Sequence, residues 1–159
     1  MASVRGRDQV PTMRVDDPLA LASLILLTLT CYCNCAHINM DIARGGDVSK
    51  LRAALKGGVS VNGTDGDGDM AIHYAVWRGH IEAVKYLVED ADSDIHWADV
   101  RGFTPLHYAC YKGTAALVVY LIKMGASSDM HRKNYYDMSP LDLCAAAGLH
   151  DEVVKAAAV

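Results

Sequence analysis

The chain has 159 residues, room for one compact domain plus a tail, and is 52% hydrophobic and 21% charged. Its formal net charge is −4, and residues 1–39 carry three Arg and three Asp that cancel, so the acidic excess lies in 40–159. Gripping a phosphate backbone takes clustered Lys and Arg, so no nucleic acid is expected as a partner.

Residues 1–17 are polar with Pro11 as a breaker and read as a disordered tail. Residues 18–36 then run for 19 positions without a formal charge and include six Leu and Ile25. That length sits at the lower edge for a membrane-spanning helix, which needs about 20 apolar residues. The Leu and Ile supply about 3 kcal/mol of insertion energy, which Ser23, Thr28, Thr30 and Asn34 erode. Three readings stay open. The run is a short anchor, with Cys31, Cys33 and Cys35 as acylation sites beside the bilayer. It is a signal peptide, although Asp8, Asp16 and Asp17 spoil the basic lead-in and no Ala-x-Ala site follows. Or it packs on the following unit or precedes a true start at Met40.

From Ile38 onward the pattern changes. Ile38 to Arg44 reads as a degenerate helix, and Gly46 to Gly58 as a second one carrying Lys50, Arg52 and Lys56 for a solvated face. Met70-Ala71-Ile72-His73-Tyr74-Ala75-Val76-Trp77-Arg78-Gly79 returns as Thr104-Pro105-Leu106-His107-Tyr108-Ala109-Cys110-Tyr111-Lys112-Gly113, and again as Ser139-Pro140-Leu141-Asp142-Leu143-Cys144-Ala145-Ala146-Ala147-Gly148. The copies start 34 and 35 residues apart, at 70, 104 and 139, and self-similarity at this period means stacked copies of a small unit rather than one globular core. Thr104 reads as an N-cap and Pro105 as the first helical residue, where its missing N–H costs nothing. Second helices follow over Gly79 to Val88 and Thr114 to Lys123, the latter with an apolar stripe of Leu117, Val118, Leu121 and Ile122. Gly125 ends that helix, where glycine takes the left-handed conformation cheaply. Leu149 to Val159 closes the stack.

These repeats resemble the ankyrin repeat family over roughly Ile38 to Val159, and in size and cap layout a small stand-alone ankyrin protein. The resemblance implies an all-α solenoid of about four helix-turn-helix units with β-turn fingers, at approximately 37–66, 67–100, 101–136 and 137–159 within a 37–159 repeat domain. His96 departs from the usual Asn, and the loop from Ser127 to Met138 holds two extra residues with Tyr135-Tyr136. Insertions of this kind fall on one face of a solenoid, often the binding one, and in so short a chain drift explains them equally well.

The residues expected to do chemistry do not assemble. Asp65, Asp67 and Asp69 alternate like the start of a calcium loop, but Met70 stands where that loop needs Gly and Val76 where it needs Glu, so the run reads as a solvated turn. The Cys-x-Cys-x-Cys run lacks a second pair at zinc spacing. His73 and His107 recur with the repeat and read as structural. Cys110 and Cys144 stand where small Ala is wanted, so both are expected to be buried and unreactive, and an odd count of five cysteines argues for a reducing compartment. No catalytic residue, cofactor or metal is expected.

A binding surface remains. By position in the resemblance, the fingers and first helices line a concave face. The partner-choosing residues there are Asp67, Asp69, Trp77 and Arg78 in the second unit, Arg101, Phe103, Tyr111 and Lys112 in the third, and Tyr136 and Met138 in the fourth. Trp, Tyr and Arg are common interface hot spots. The competing reading packs Trp77 and Tyr111 between inner helices. The chain is thus expected to be a monomeric, cytoplasmic, non-catalytic adaptor or inhibitor of another protein. The alternatives are a membrane-tethered scaffold held by residues 18–36, its repeats facing the cytosol, and an accessory chain or fragment of a larger ankyrin-containing enzyme.

Overall fold

The computed structural model describes residues 40–157. The expected tail at 1–17, the hydrophobic segment at 18–36 and Cys31, Cys33 and Cys35 lie outside these residues. Among the described residues the fold is helical, with one isolated bridge between Thr64 and Met70 and no helix long and apolar enough to cross a membrane.

Helices come in successive pairs. A run over 40–45, α1, precedes α2 (Val48–Lys56). Helix α3 (Ala71–Arg78) pairs with α4 (Ile81–Lys85), which widens into a π turn over Tyr86–Asp90. Helix α5 (Pro105–Lys112) pairs with α6 (Ala115–Lys123), and α7 (Pro140–Ala146) with α8 (His150–Ala157). The first members stack in a file, α3 on α5 and α5 on α7, while α6 packs on α8 and α2 on α4. Ile72, Val76, Leu106, Leu117 and Leu121 are buried between them, so the core is a seam through the stack.

Helices α3, α5 and α7 open with a side chain at the third helical position that reaches back to the N-cap N–H, and in α5 and α7 the N-cap hydroxyl returns the bond. The His73 and His107 Nδ1 atoms accept from the backbone N–H of Met70 and Thr104, at 3.0 and 3.1 Å. In the last unit the Asp142 carboxylate accepts from the Ser139 N–H at 2.9 Å and from its hydroxyl at 2.6 Å. Either side chain satisfies donors that the helix itself cannot. His73 also reaches the next finger, its Nε2 lying 3.2 Å from the Trp97 carbonyl, so the histidines serve structure as expected.

The fingers are built on side-chain acceptors. Asp65 Oδ1 takes the N–H of Asp67 and Asp69, and Asp99 Oδ1 those of Arg101 and Phe103. Asn134 Oδ1 takes those of Tyr136 and Met138. Neighbouring fingers join backbone to backbone, Val100 N–H to the Asp67 carbonyl and Tyr135 N–H to the Arg101 carbonyl, both at 3.0 Å. This approach requires glycine at 68 and 102. Both have positive φ, and a Cβ would lie 3.1 Å from Val100 N or 3.0 Å from Asn134 Cα. Asp137 occupies the corresponding place in the last finger at φ 60°.

Two expectations are corrected. Cys110 and Cys144 are buried but joined in a disulfide between α5 and α7, with Cα atoms 4.5 Å apart. The small residues that let inner helices approach closely also bring these two sulfurs together, and an odd total does not prevent one pair from forming. The two cysteines are therefore not free thiols as expected, and the odd count does not exclude a disulfide. The Asp65-Asp67-Asp69 run is not a uniformly solvated turn either. Asp67 is exposed, Asp65 half-buried and Asp69 only 8% exposed.

Leu121 is fully buried, and Leu121→Ala should lower unfolding free energy by about 2–5 kcal/mol in denaturant titrations. The disulfide spans a sequence separation of 34, so reducing it should cost up to about 4 kcal/mol. Superimposable unfolding curves with and without reductant would show that the thiols are not joined in solution.

Candidate functional site

The inner helices and fingers of the second to fourth units carry a continuous aromatic face. Trp77, at the end of α3, and Tyr111, at the end of α5, stack with ring centres 5.8 Å apart and planes within 12°. Tyr108 meets Trp77 edge-on at 5.7 Å and lies 5.3 Å from Phe103, which in turn meets Tyr136 at 6.0 Å. Trp77, Tyr111 and Tyr136 remain 38%, 58% and 62% exposed. Trp77 and Tyr111 thus pack against each other across the inner helices, as the competing reading expects, and remain partly exposed. Two adjoining cavities of about 220 and 230 Å³ open along this face and share Trp77, Arg101 and Tyr108 in their walls.

Beneath the rings lies a charged network. Asp99, its side chain fully buried, accepts from Arg101 Nη2 at 2.8 Å and from the Tyr108 hydroxyl at 2.7 Å. Burial alone would raise its pKa, yet the Phe103 N–H, the Tyr108 hydroxyl and Arg101 hold it below the usual carboxylate value. The mirror arrangement one unit earlier uses Asp65 and the Tyr74 hydroxyl at 2.7 Å. Burial and these carboxylates keep both phenols protonated, Tyr74 being pushed up to about 12 and Tyr108 upward as well.

Asp69 is the exception in this network. Its Oδ2 lies 3.6 Å from Arg101 Nη2, while its Oδ1 is buried with no hydrogen-bond partner among the described residues. Burial, followed by repulsion from Asp99 and Asp65, pushes Asp69 up to about 6 against the pull of Arg101. His73 beside it is pushed down to about 4 by burial, so it is neutral at physiological pH.

Of the residues expected to choose a partner, Asp69, Trp77, Arg101, Phe103, Tyr111 and Tyr136 line the two cavities. Lys112 joins them by laying its ammonium 4.3 Å from the centre of the Trp77 ring. Asp67 is exposed on its finger, where its carbonyl holds Val100, and Arg78 is exposed at the end of α3; neither lines a cavity. Met138 is half-buried against the core, its N–H on Asn134. Tyr74, Tyr108, His73 and Asp99 were missed. A signal existed, since an Asp followed nine residues later by a Tyr occurs at 65 and 74 and again at 99 and 108. Among the described residues no group of three metal-binding side chains forms.

Residues 40–88 match the family model for ankyrin repeats (many copies), and residues 91–157 that for ankyrin repeats (3 copies). The chain is similar to protein phosphatase 1 regulatory subunit 27 of Mus musculus, 38% identical over 91 residues that cover 57% of this chain and 58% of that protein. It is 31% identical over 101 residues to putative glutaminase 2 of Caenorhabditis elegans, covering 64% of this chain and 16% of that protein. Acyl-CoA-binding domain-containing protein 2 of Arabidopsis thaliana is 38% identical over 47 residues, which are 30% of this chain and 13% of the relative. The chain therefore spans less than two thirds of each of these proteins.

Asp69 and His73 oppose each other on acidification. His73 titrates at about 4 when folded against 6.5 when unfolded, so the unfolded chain binds the proton first and stability falls as pH drops through that window. Asp69 titrates at about 6 when folded against 3.8 when unfolded, so the native state binds first and stability rises as pH drops between those values. Asp69→Asn removes the second effect and keeps the first. Its melting temperature should fall more steeply from pH 6.5 to 4 than that of the parent. Parallel curves would mean that Asp69 is an ordinary solvated carboxylate.

Proposed function

The chain belongs to the ankyrin repeat family, and we propose that it acts as a non-catalytic protein-protein interaction module, an adaptor or inhibitor that holds a partner protein in its concave aromatic groove. The observation that carries this reading is the exposure of Trp77, Tyr111 and Tyr136 in one connected patch on the inner-helix face. Contiguous exposed aromatics are uncommon on surfaces that meet only water, and Trp, Tyr and Arg dominate interface energetics. The groove's walls are held rigid by the network below them, so little ordering cost arises on binding.

The likeness to a phosphatase regulatory subunit supports a role that acts on another protein, and makes the catalytic subunit of protein phosphatase 1 the first partner to try. The glutaminase likeness covers 16% of that relative, and its activity is not carried over to this chain. The membrane-tethered reading rests on the uncharged run at 18–36 alone, and fractionation of cells expressing the full chain separates it from an untethered adaptor.

The test uses two double variants, Trp77→Ala with Phe103→Ala and Tyr111→Ala with Tyr136→Ala. Each should weaken partner capture about thirtyfold, the effect of losing a hot spot of about 2 kcal/mol, with helical circular dichroism unchanged. The second pair guards against disturbance of the half-buried Phe103. Undiminished capture by a well-folded Tyr111→Ala, Tyr136→Ala chain would remove the groove from the interface.

A further inference from the structure

We infer that the 220 Å³ cavity between the first two fingers is a receptor for one basic side chain, a lysine or arginine presented by the bound partner. The inference rests on the groove being the partner-binding face and adds the chemistry of what enters it.

The floor supplies the first argument. Asp69 is 8% exposed, forms part of the cavity wall, and has one carboxylate oxygen with no hydrogen-bond partner among the described residues. A buried carboxylate left half-satisfied costs free energy that an incoming N–H donor would recover. Arg101 does not meet this need. Its Nη2 is 2.8 Å from Asp99 and 3.6 Å from Asp69, and it also reaches the Tyr108 hydroxyl.

Local charge decides the sign of the guest. Among the described residues, the charged groups of the wall are Asp69 and Arg101, with Asp99 and Asp65 close enough behind to repel the Asp69 carboxylate, and His73 is neutral at physiological pH. An anionic guest would meet the Asp69 carboxylate, whereas a cationic guest gives it a partner.

The walls give an independent argument. Trp77 and Tyr74 line the same cavity, and each already holds a basic side chain of this chain against its ring. Lys112 Nζ lies 4.3 Å from the Trp77 ring centre and Arg44 Cζ 4.7 Å from that of Tyr74. Lys112, exposed and with no carboxylate partner among the described residues, marks where an ammonium is attracted by the rings themselves. A partner's lysine entering this cavity meets the Trp77 and Tyr74 rings together with the Asp69 carboxylate.

The test needs no identified partner. In 1H–15N spectra of the full chain at pH 7.5 and low salt, the Trp77 indole signal is followed during titration with N-acetyl-lysine methylamide. The norleucine analogue, which keeps the aliphatic stem and lacks the ammonium, is the comparison. The lysine probe should bind about tenfold more tightly than norleucine, and Asp69→Asn should erase that difference. Lowering the pH to 5 should weaken lysine binding up to about tenfold as Asp69, titrating at about 6, takes up a proton. Asp65, Asp67, Asp99, Arg101, His73, Tyr74 and Tyr108 are the other titratable groups around it, and of these Asp99 is held below the usual carboxylate value, His73 at about 4, and the two phenols above theirs. Equal affinity for norleucine, or an unchanged preference in Asp69→Asn, overturns the inference. If Trp77→Ala with Phe103→Ala loses partner capture while Asp69→Asn retains it fully, the groove stands and the basic guest does not. If neither variant affects capture, the groove reading itself has failed.

Discussion

The arrangement of the concave face depends on one buried carboxylate. Asp99 gathers two backbone N–H groups of its finger, the guanidinium of Arg101 and the hydroxyl of Tyr108. It thereby fixes the finger to the inner helix that follows, and places Phe103 and Tyr108 where they meet Trp77 and Tyr136. A carboxylate so deeply buried is tolerable only because each oxygen is satisfied, with a cation among its partners. The groove is therefore a consequence of the network rather than of the exposed rings that decorate it.

The same device varies along the stack in a chemically consistent way. Asp65 and Asp99 are each followed by a tyrosine that donates its hydroxyl to them. In the last unit Leu143 stands at the corresponding place and Asn134 replaces the acid. With no phenol to donate, a charged acceptor would be left buried and incompletely paired, and a neutral amide avoids that cost while still binding the finger's N–H groups. The fingers themselves tell a parallel story. Gly68 and Gly102 face a neighbouring finger at close range, whereas Asp137 carries a side chain in the same left-handed conformation.

How much could be read from residues alone differs between fold and site. The reciprocal caps of Thr104 with His107 and Ser139 with Asp142, and the apolar stripe around Leu121, are local patterns with fixed spacing, so the helix pairs were legible. The rings at 77, 103, 111 and 136 could be placed by position in the repeat. The depth of Asp69 could not. Asp65, Asp67 and Asp69 look alike on paper, and only the turn imposed by Asp65 and the closeness of the next finger send one inward and leave another in water. Pairing of Cys110 with Cys144 was equally hidden, since the two sulfurs stand one residue out of the 35-residue register that relates their units.

That bond changes the statistical character of the stack. Repeat arrays gain stability from nearest-neighbour interfaces, and their end units can unzip while the middle stays folded. A second covalent tie, from α5 to α7, holds the last described unit close to its neighbour when their interface opens, so the opened state gains less chain entropy and re-closure is favoured. Tyr136 and its finger, which lie between the two tied helices and complete one wall of the groove, are thereby protected from local opening of that interface.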